Sequence, residues 1–169
     1  MNRKAALWAL LPLGIIAADQ AVKAWAQSTL QYMDTLPLWE GVFHLTYARN
    51  TGAAFSLLQG GRWLFIVITF FMLALLGWAL CKGWVRGLFG RLALLFVMGG
   101  AVGNLIDRVR FGYVIDLFDF RLINFAVFNV ADAFITVGGV MMGVYLLFMD
   151  KRLLGTESKT DGNTPDGDA

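Results

Sequence analysis

Trp63 to Cys81 runs without a single charged residue. About 20 helical residues cross the roughly 30 Å of a bilayer's hydrocarbon core, so a stretch of this length and purity reads as a membrane span. Three more apolar segments accompany it. Leu92 to Ile106 extends back through Gly87 to Gly90 if Arg91 snorkels to the interface. Ala133 to Met149 extends back through Asp132 to about Phe128. The first segment, "MNRK" followed by "AALWALLPLGIIAA", has the n- and h-regions of a secretory signal peptide, and "AWA" at Ala24 to Ala26 mimics a cleavage site. Asp19 and Lys23 lie between the apolar run and that site, where a cleavable signal is normally uncharged; they favour an uncleaved span continuing to about Ala26.

Composition agrees with this class. Only 15% of residues are charged and mean hydropathy is +0.63, against roughly 25% charged in soluble domains. The expected fold is therefore an all-α membrane protein, one domain over 1–154, with spans at about 5–26, 63–81, 88–107 and 128–149. Four spans put both termini on one side. Arg3 and Lys4, then Lys82, Arg86 and Arg91, then Lys151 and Arg152 all fall on that side, which the positive-inside rule makes cytoplasmic. The tail, 155–169, is almost free of apolar residues and reads as disordered.

Two outer segments, 27–62 and 109–127, remain. In the first, "VFHLTYA" alternates so that Phe43, Leu45 and Tyr47 share one face of a strand. "RNTG" reads as a turn with Gly52 free to take positive φ, and "AAFSLL" as a return strand. The expectation is a small β-sheet on the outer surface, with 109–127 as a lid segment. His44 reads as an exposed strand residue. Trp8, Trp63, Trp78 and Trp84 read as interfacial anchors.

Ionisable residues within spans are costly and usually mark function. Chain direction gives their depth. Asp19 and Lys23 lie near the outer end of span one, Asn104, Asp107 and Arg108 near the outer end of span three, and Asn129 and Asp132 near the outer start of span four. Asn50 and Asp116 join them from the outer segments. Asp19 with Lys23, Asn104 with Asp107 and Arg108, and Asn129 with Asp132 each share a helix face at i,i+3 or i,i+4. Gly99-x-x-x-Gly103 and Gly139-x-x-x-Gly143 offer close helix approach.

Most enzyme chemistries find no support in the sequence. None of Ser28, Ser56 and Ser158 lies in G-x-S-x-G. H-E-x-x-H and the P-loop are missing. One cysteine, Cys81, and one histidine, His44, are too few for a Cys/His zinc site, and a net charge of +2 without clustered Lys and Arg gives no nucleic-acid surface. Carboxylates, amides and an arginine remain. Two carboxyl groups sharing a site keep a proton between them near neutrality, the requirement of aspartic protease chemistry. A proton- or ion-coupled carrier is the other reading of buried Asp, Asn and Lys, but carriers bind near the midplane and show internal repeats.

Five blocks then stand out in order: "DQAVK" (Asp19 to Lys23), "ARNTGAAFS" (Ala48 to Ser56), "GGAVGNLIDR" (Gly99 to Arg108), "YVIDLFDF" (Tyr113 to Phe120) and "FNVADAFITVG" (Phe128 to Gly138). Together they resemble the lipoprotein signal peptidases, or type II signal peptidases, of bacteria, over about Leu7 to Met149. The resemblance implies an aspartic endopeptidase of the bacterial inner membrane, with no cofactor or metal. Its substrate would be a diacylglyceryl-modified prolipoprotein met in the lipid phase and cut just before the modified cysteine. By motif position the catalytic pair is Asp116 and Asp132. Leu117 stands where the family commonly has Phe, an apolar exchange. Asn50, Asn104, Arg108 and Asn129 are candidates for positioning substrate, as are Gly52 and Ala131; Asp19 and Lys23 are candidates for substrate contact or for orienting span one. Asp107 is expected to pair with a cation, and Asp119 to pair locally with Arg121 or Arg110.

Overall fold

A computed structural model describes residues 3–52 and 60–149. The "AAFSLL" strand and the tail lie outside the described residues. Four helices dominate: α1 (Arg3–Thr29), α2 (Arg62–Cys81), α3 (Gly87–Arg110) and α4 (Val130–Val144), the last continuing as a wider turn over Tyr145–Met149. All four are long and apolar enough, with that continuation, to cross a membrane. A three-stranded antiparallel sheet in the order β1 (Leu36–Trp39), β2 (Phe43–Asn50), β3 (Val114–Phe120) sits at one end of the bundle. The expected architecture of four spans and a small sheet is present, and the second outer segment supplies one of the strands.

Helix α2 buries no residue, and Trp63, Phe70 and Phe71 are each more than 60% exposed. In water this surface would be untenable; in lipid it is solvated. The middle of the bundle is instead α3, which packs on α1 through one face and on α4 through another. Glycine decides both contacts. A Cβ on Gly99 would sit 3.1 Å from the Ile15 side chain, and one on Gly103 would sit 2.6 Å from Asp19 Oδ2. On the α4 side, Gly100 lies against the Ala131 carbonyl and Gly138 against the Ala93 carbonyl.

The second glycine pattern read from sequence does not form a contact. Gly139 and Gly143 face open space, and Gly138 packs instead. Neighbouring helical residues are turned by about 100°, so a shift of one position moves the contact to another face. Gly138→Leu is therefore expected to destabilise the protein by about 1–3 kcal/mol, while Gly139→Leu leaves stability near that of the parent. Denaturant unfolding in micelles reads the difference.

The sheet rests on the end of α1. Ala26 and Leu30 are buried with Leu45, Ile115 and Leu117, and Phe43 and Tyr47 pack against the same cluster. The expected shared face of Phe43, Leu45 and Tyr47 thus exists, across an irregularity in the β2–β3 register between Leu45 and Ala48. His44, expected to be exposed, is buried at 6%. Its Nε2 accepts from the Gly41 N–H at 3.2 Å and its Nδ1 lies 3.2 Å from Thr35 Oγ1. The β1 strand covers it, pairing Pro37 with His44. At the opposite end of the bundle, Tyr145 is buried with Val85 and Leu94, and its hydroxyl accepts from the Arg86 N–H at 2.9 Å. Trp78 and Trp84 meet there edge to face at 4.5 Å.

Candidate active site

Three helices and two strands bring their polar residues to the sheet end of the bundle. The start of α4 sets the geometry. Asn129 is its N-cap: the Asn129 Oδ1 accepts from the Asp132 N–H at 2.9 Å, and Asp132 Oδ2 accepts from the Asn129 N–H at 3.3 Å. This reciprocal capping box fixes the Asp132 carboxyl against the first turn. The chain entering the helix is stitched to β3, since the Leu117 and Phe118 N–H groups both donate to the Phe128 carbonyl and the Phe128 N–H returns to Phe118. Asp116 on β3 and Asp132 on α4 are thereby held in one frame.

Asn129 joins the two aspartates directly. Its side-chain amide donates to Asp116 Oδ1 at 2.6 Å while its backbone N–H serves Asp132. Asn50 from β2 donates to Asp116 Oδ2 at 3.0 Å, and Asn104 from α3 donates to Asp132 Oδ1 at 2.7 Å. Each carboxyl thus accepts on both oxygens.

Behind this pair lies a buried ionic cluster. Lys23, 2% exposed, directs its three N–H groups to Asp19 Oδ2 at 2.9 Å, Asp107 Oδ2 at 3.0 Å and Asn104 Oδ1 at 2.8 Å. Asp19 Oδ1 accepts from the Ala131 N–H at 2.9 Å, a free donor in the first turn of α4. A carboxylate there also meets the positive end of the helix dipole. Asp107 does pair with a cation, and its Oδ2 accepts from the Ile115 N–H at 3.1 Å, next to Asp116. Gln20, which sequence reasoning passed over, donates to Asp107 Oδ1 at 3.0 Å and to the Gly103 carbonyl at 3.2 Å. Its position beside Asp19 in the first block was the only available signal. The turn from α3 into β3 passes through Gly112 at φ +84°, a conformation glycine adopts freely.

Arg108 stands apart from this cluster. It donates to the Gly52 carbonyl at 3.1 Å and lies over the Phe65 ring. Gly52 follows β2 at a bend, where its N–H donates to Asn50 Oδ1 at 3.0 Å, the side chain standing in for a backbone turn partner. Asp119 pairs with Arg121 at 3.0 Å and accepts from Thr46 Oγ1 at 2.8 Å, clear of the aspartate pair.

Two cavities flank the pair. One of about 480 Å³ lies along α4, with Val114, Phe128 and Ile135 in its walls and Asn50, Arg108 and Asp132 among its polar lining. The other, about 320 Å³, opens beside Asp116, Asn50 and Asn124. Among the described residues, no group of three His, Cys, Asp or Glu side chains is arranged to hold a metal ion.

The signal peptidase II family matches residues 11–148. The chain belongs to this family. It is therefore a membrane-spanning peptidase of the signal peptidase II type. A lipoprotein signal peptidase of Clostridioides difficile is 42% identical over 146 residues, covering 86% of this chain and 98% of that protein. One from a Nostoc species is 48% identical over 128 residues, covering 73% and 78%. A solved bacterial membrane enzyme superposes with a TM-score of 0.78 at 28% identity, covering 94% of both chains, and another with 0.77 at 30% identity, covering 85% and 94%.

Burial holds Asp116 well above the ordinary carboxyl value of 3.8, at about 7, and the charge of Asp132 adds to the shift. Hydrogen bonds from Asn50 and Asn129 and the charge of Lys23 oppose it. The sign follows: folding favours the protonated form, so the cost of an ionised Asp116 is absent below 3.8 and complete above about 7. Asp132→Asn removes the neighbouring charge and is expected to move the Asp116 titration to lower pH, read from the carboxyl carbon of isotopically labelled aspartate.

Proposed function

We propose that this chain is an intramembrane aspartic endopeptidase that removes signal peptides from diacylglyceryl-modified prolipoproteins, cutting just before the modified cysteine. One observation carries the reading: two carboxyl groups from separate elements share Asn129, beside a mainly apolar cavity whose lining includes Asn50, Arg108 and Asp132. The ionised member of the pair takes a proton from water, which attacks the scissile carbonyl. The protonated member donates a hydrogen bond to the developing oxyanion, and a proton passes to the leaving amine as the tetrahedral intermediate collapses. Low local dielectric strengthens each of these interactions.

The remaining residues divide by what they touch. Asn104 and Asn129 hold the aspartates, and Asp19 and Lys23 hold Asn104 and the start of α4, acting through the site rather than on the substrate. Asn50 and Arg108 face the cavity and also fix Gly52, so they are the groups offered to an extended substrate backbone. Acyl chains of the substrate remain in the bilayer or enter the cavity along α4. The charge pattern supports an inner-membrane protein with both termini cytoplasmic and the site towards the outer leaflet. The test is a purified-protein assay on a matched pair of peptides. The diacylglyceryl-modified peptide should yield a product beginning at the modified cysteine and the unmodified one should not; equal cleavage of both would overturn the lipid requirement.

A further inference from the structure

The sheet end of the bundle carries two guanidinium groups that the peptidase chemistry does not use. Arg49 on β2 and Arg110 at the end of α3 are both exposed. Arg62, Arg108 and Arg121 at the same end each donate to a carbonyl or a carboxylate. Among the described residues, Arg49 and Arg110 form no ion pair. If this end faces outward, basic residues here run against the positive-inside bias and call for a partner.

Aromatic rings hold both groups in place. Arg110 lies 4.9 Å from the Phe111 ring centre, Phe111 stacks on Tyr113 at 5.8 Å, and Arg49 sits 5.3 Å from Tyr113 and 5.5 Å from Tyr47. The result is one continuous row, with Arg110 at one end and Arg49 between the Tyr113 and Tyr47 rings. Its inner side is anchored, since Tyr47, Phe111 and Tyr113 pack on the cluster of Ala26 and Leu30 at the end of α1. Tyrosines and arginines at a span's end sit at headgroup level, ring bodies in the acyl region and polar tips in the headgroups. Guanidinium forks match phosphate oxygens in pairs.

We propose that this row of rings and cations is a docking surface for the phosphodiester headgroups of anionic phospholipids, with Arg49 and Arg110 each a charged contact. The site is separate from the aspartate pair, so its loss leaves the peptidase assignment standing. It would hold a lipid beside the catalytic end of the bundle and fix the depth at which the sheet rides in the interface.

The test uses the full chain in phosphatidylcholine nanodiscs with and without phosphatidylglycerol, reading retained lipid by native mass spectrometry. Arg49→Gln and Arg110→Gln should each weaken phosphatidylglycerol retention about fivefold, and the pair about twenty-five-fold. Lys82→Gln, at the other end of α2, should change little. Retention by the double variant equal to the parent, or an equal loss with Lys82→Gln, would overturn the proposal. Displacement of the lipid by excess inorganic phosphate would contradict a lipid site, and persistence supports it. Both single substitutions fall on exposed side chains, so the test survives if the double variant does not fold.

Discussion

Asp116→Asn is expected to lower cleavage of a diacylglyceryl-modified peptide by about a thousandfold or more, as is Asp132→Asn. A positioned acid or base contributes about a hundredfold to ten-thousandfold, and the proposed mechanism uses one carboxyl on the attacking water and the other on the developing oxyanion. Folding should survive. In either variant the amide oxygen can still accept one of the two existing hydrogen bonds, and the charge removed is one that burial opposes at Asp116. Thermal melting near that of the parent separates this outcome from simple unfolding. Asp119→Asn is the internal contrast. It removes a carboxylate three residues along the same strand, whose partners are Thr46 and Arg121, and its effect on turnover should be small by comparison.

Lys23→Met should act on stability instead. Lys23 is the only cation within 4.0 Å of Asp19 and Asp107 among the described residues, and all three side chains are at most 2% exposed. Removing one partner of a buried ion cluster leaves uncompensated charge and costs about 3–5 kcal/mol. The damage should spread to the site, because Asn104 Oδ1 loses one of its two donors, keeping only Asn129, and Asp19 braces the first turn of α4. Adding Asp107→Asn to Lys23→Met should recover part of the loss, since it removes one stranded charge while keeping an acceptor for the Ile115 N–H. Unfolding in mixed micelles measures both. A melting point unchanged by Lys23→Met would contradict the account of the cluster.

Much of this was legible in the residues themselves. Four apolar runs gave the spans, and chain direction gave a common depth for Asp19, Lys23, Asn104, Asp107, Asn129 and Asp132, which the structure brings into one network. Depth along a helix is simple arithmetic on sequence. Rotation about it is less so: Gly139 and Gly143 matched a packing pattern, yet Gly138 makes the contact, because apolar residues surround α4 and lipid does not mark an outer face. Pairing across long separations was also hidden. Nothing local in "YVIDLFDF" says that β3 lies beside β2, or that Asn50 reaches Asp116 from that strand. His44 was misread as exposed because its cover, β1, is a short strand containing Pro37 with no alternation of its own. Gln20 carries no charge and so escaped attention, although it ties α1 to α3.

The central claim is that Asp116 and Asp132 form a single catalytic unit. Single-turnover rates on the diacylglyceryl-modified peptide for the parent, Asp116→Asn, Asp132→Asn and the double variant test it most directly. Groups that act as a unit are non-additive, so all three variants should fall to the same residual rate. Substantial activity in either single variant, or a double variant slower by the product of the two separate losses, would contradict it.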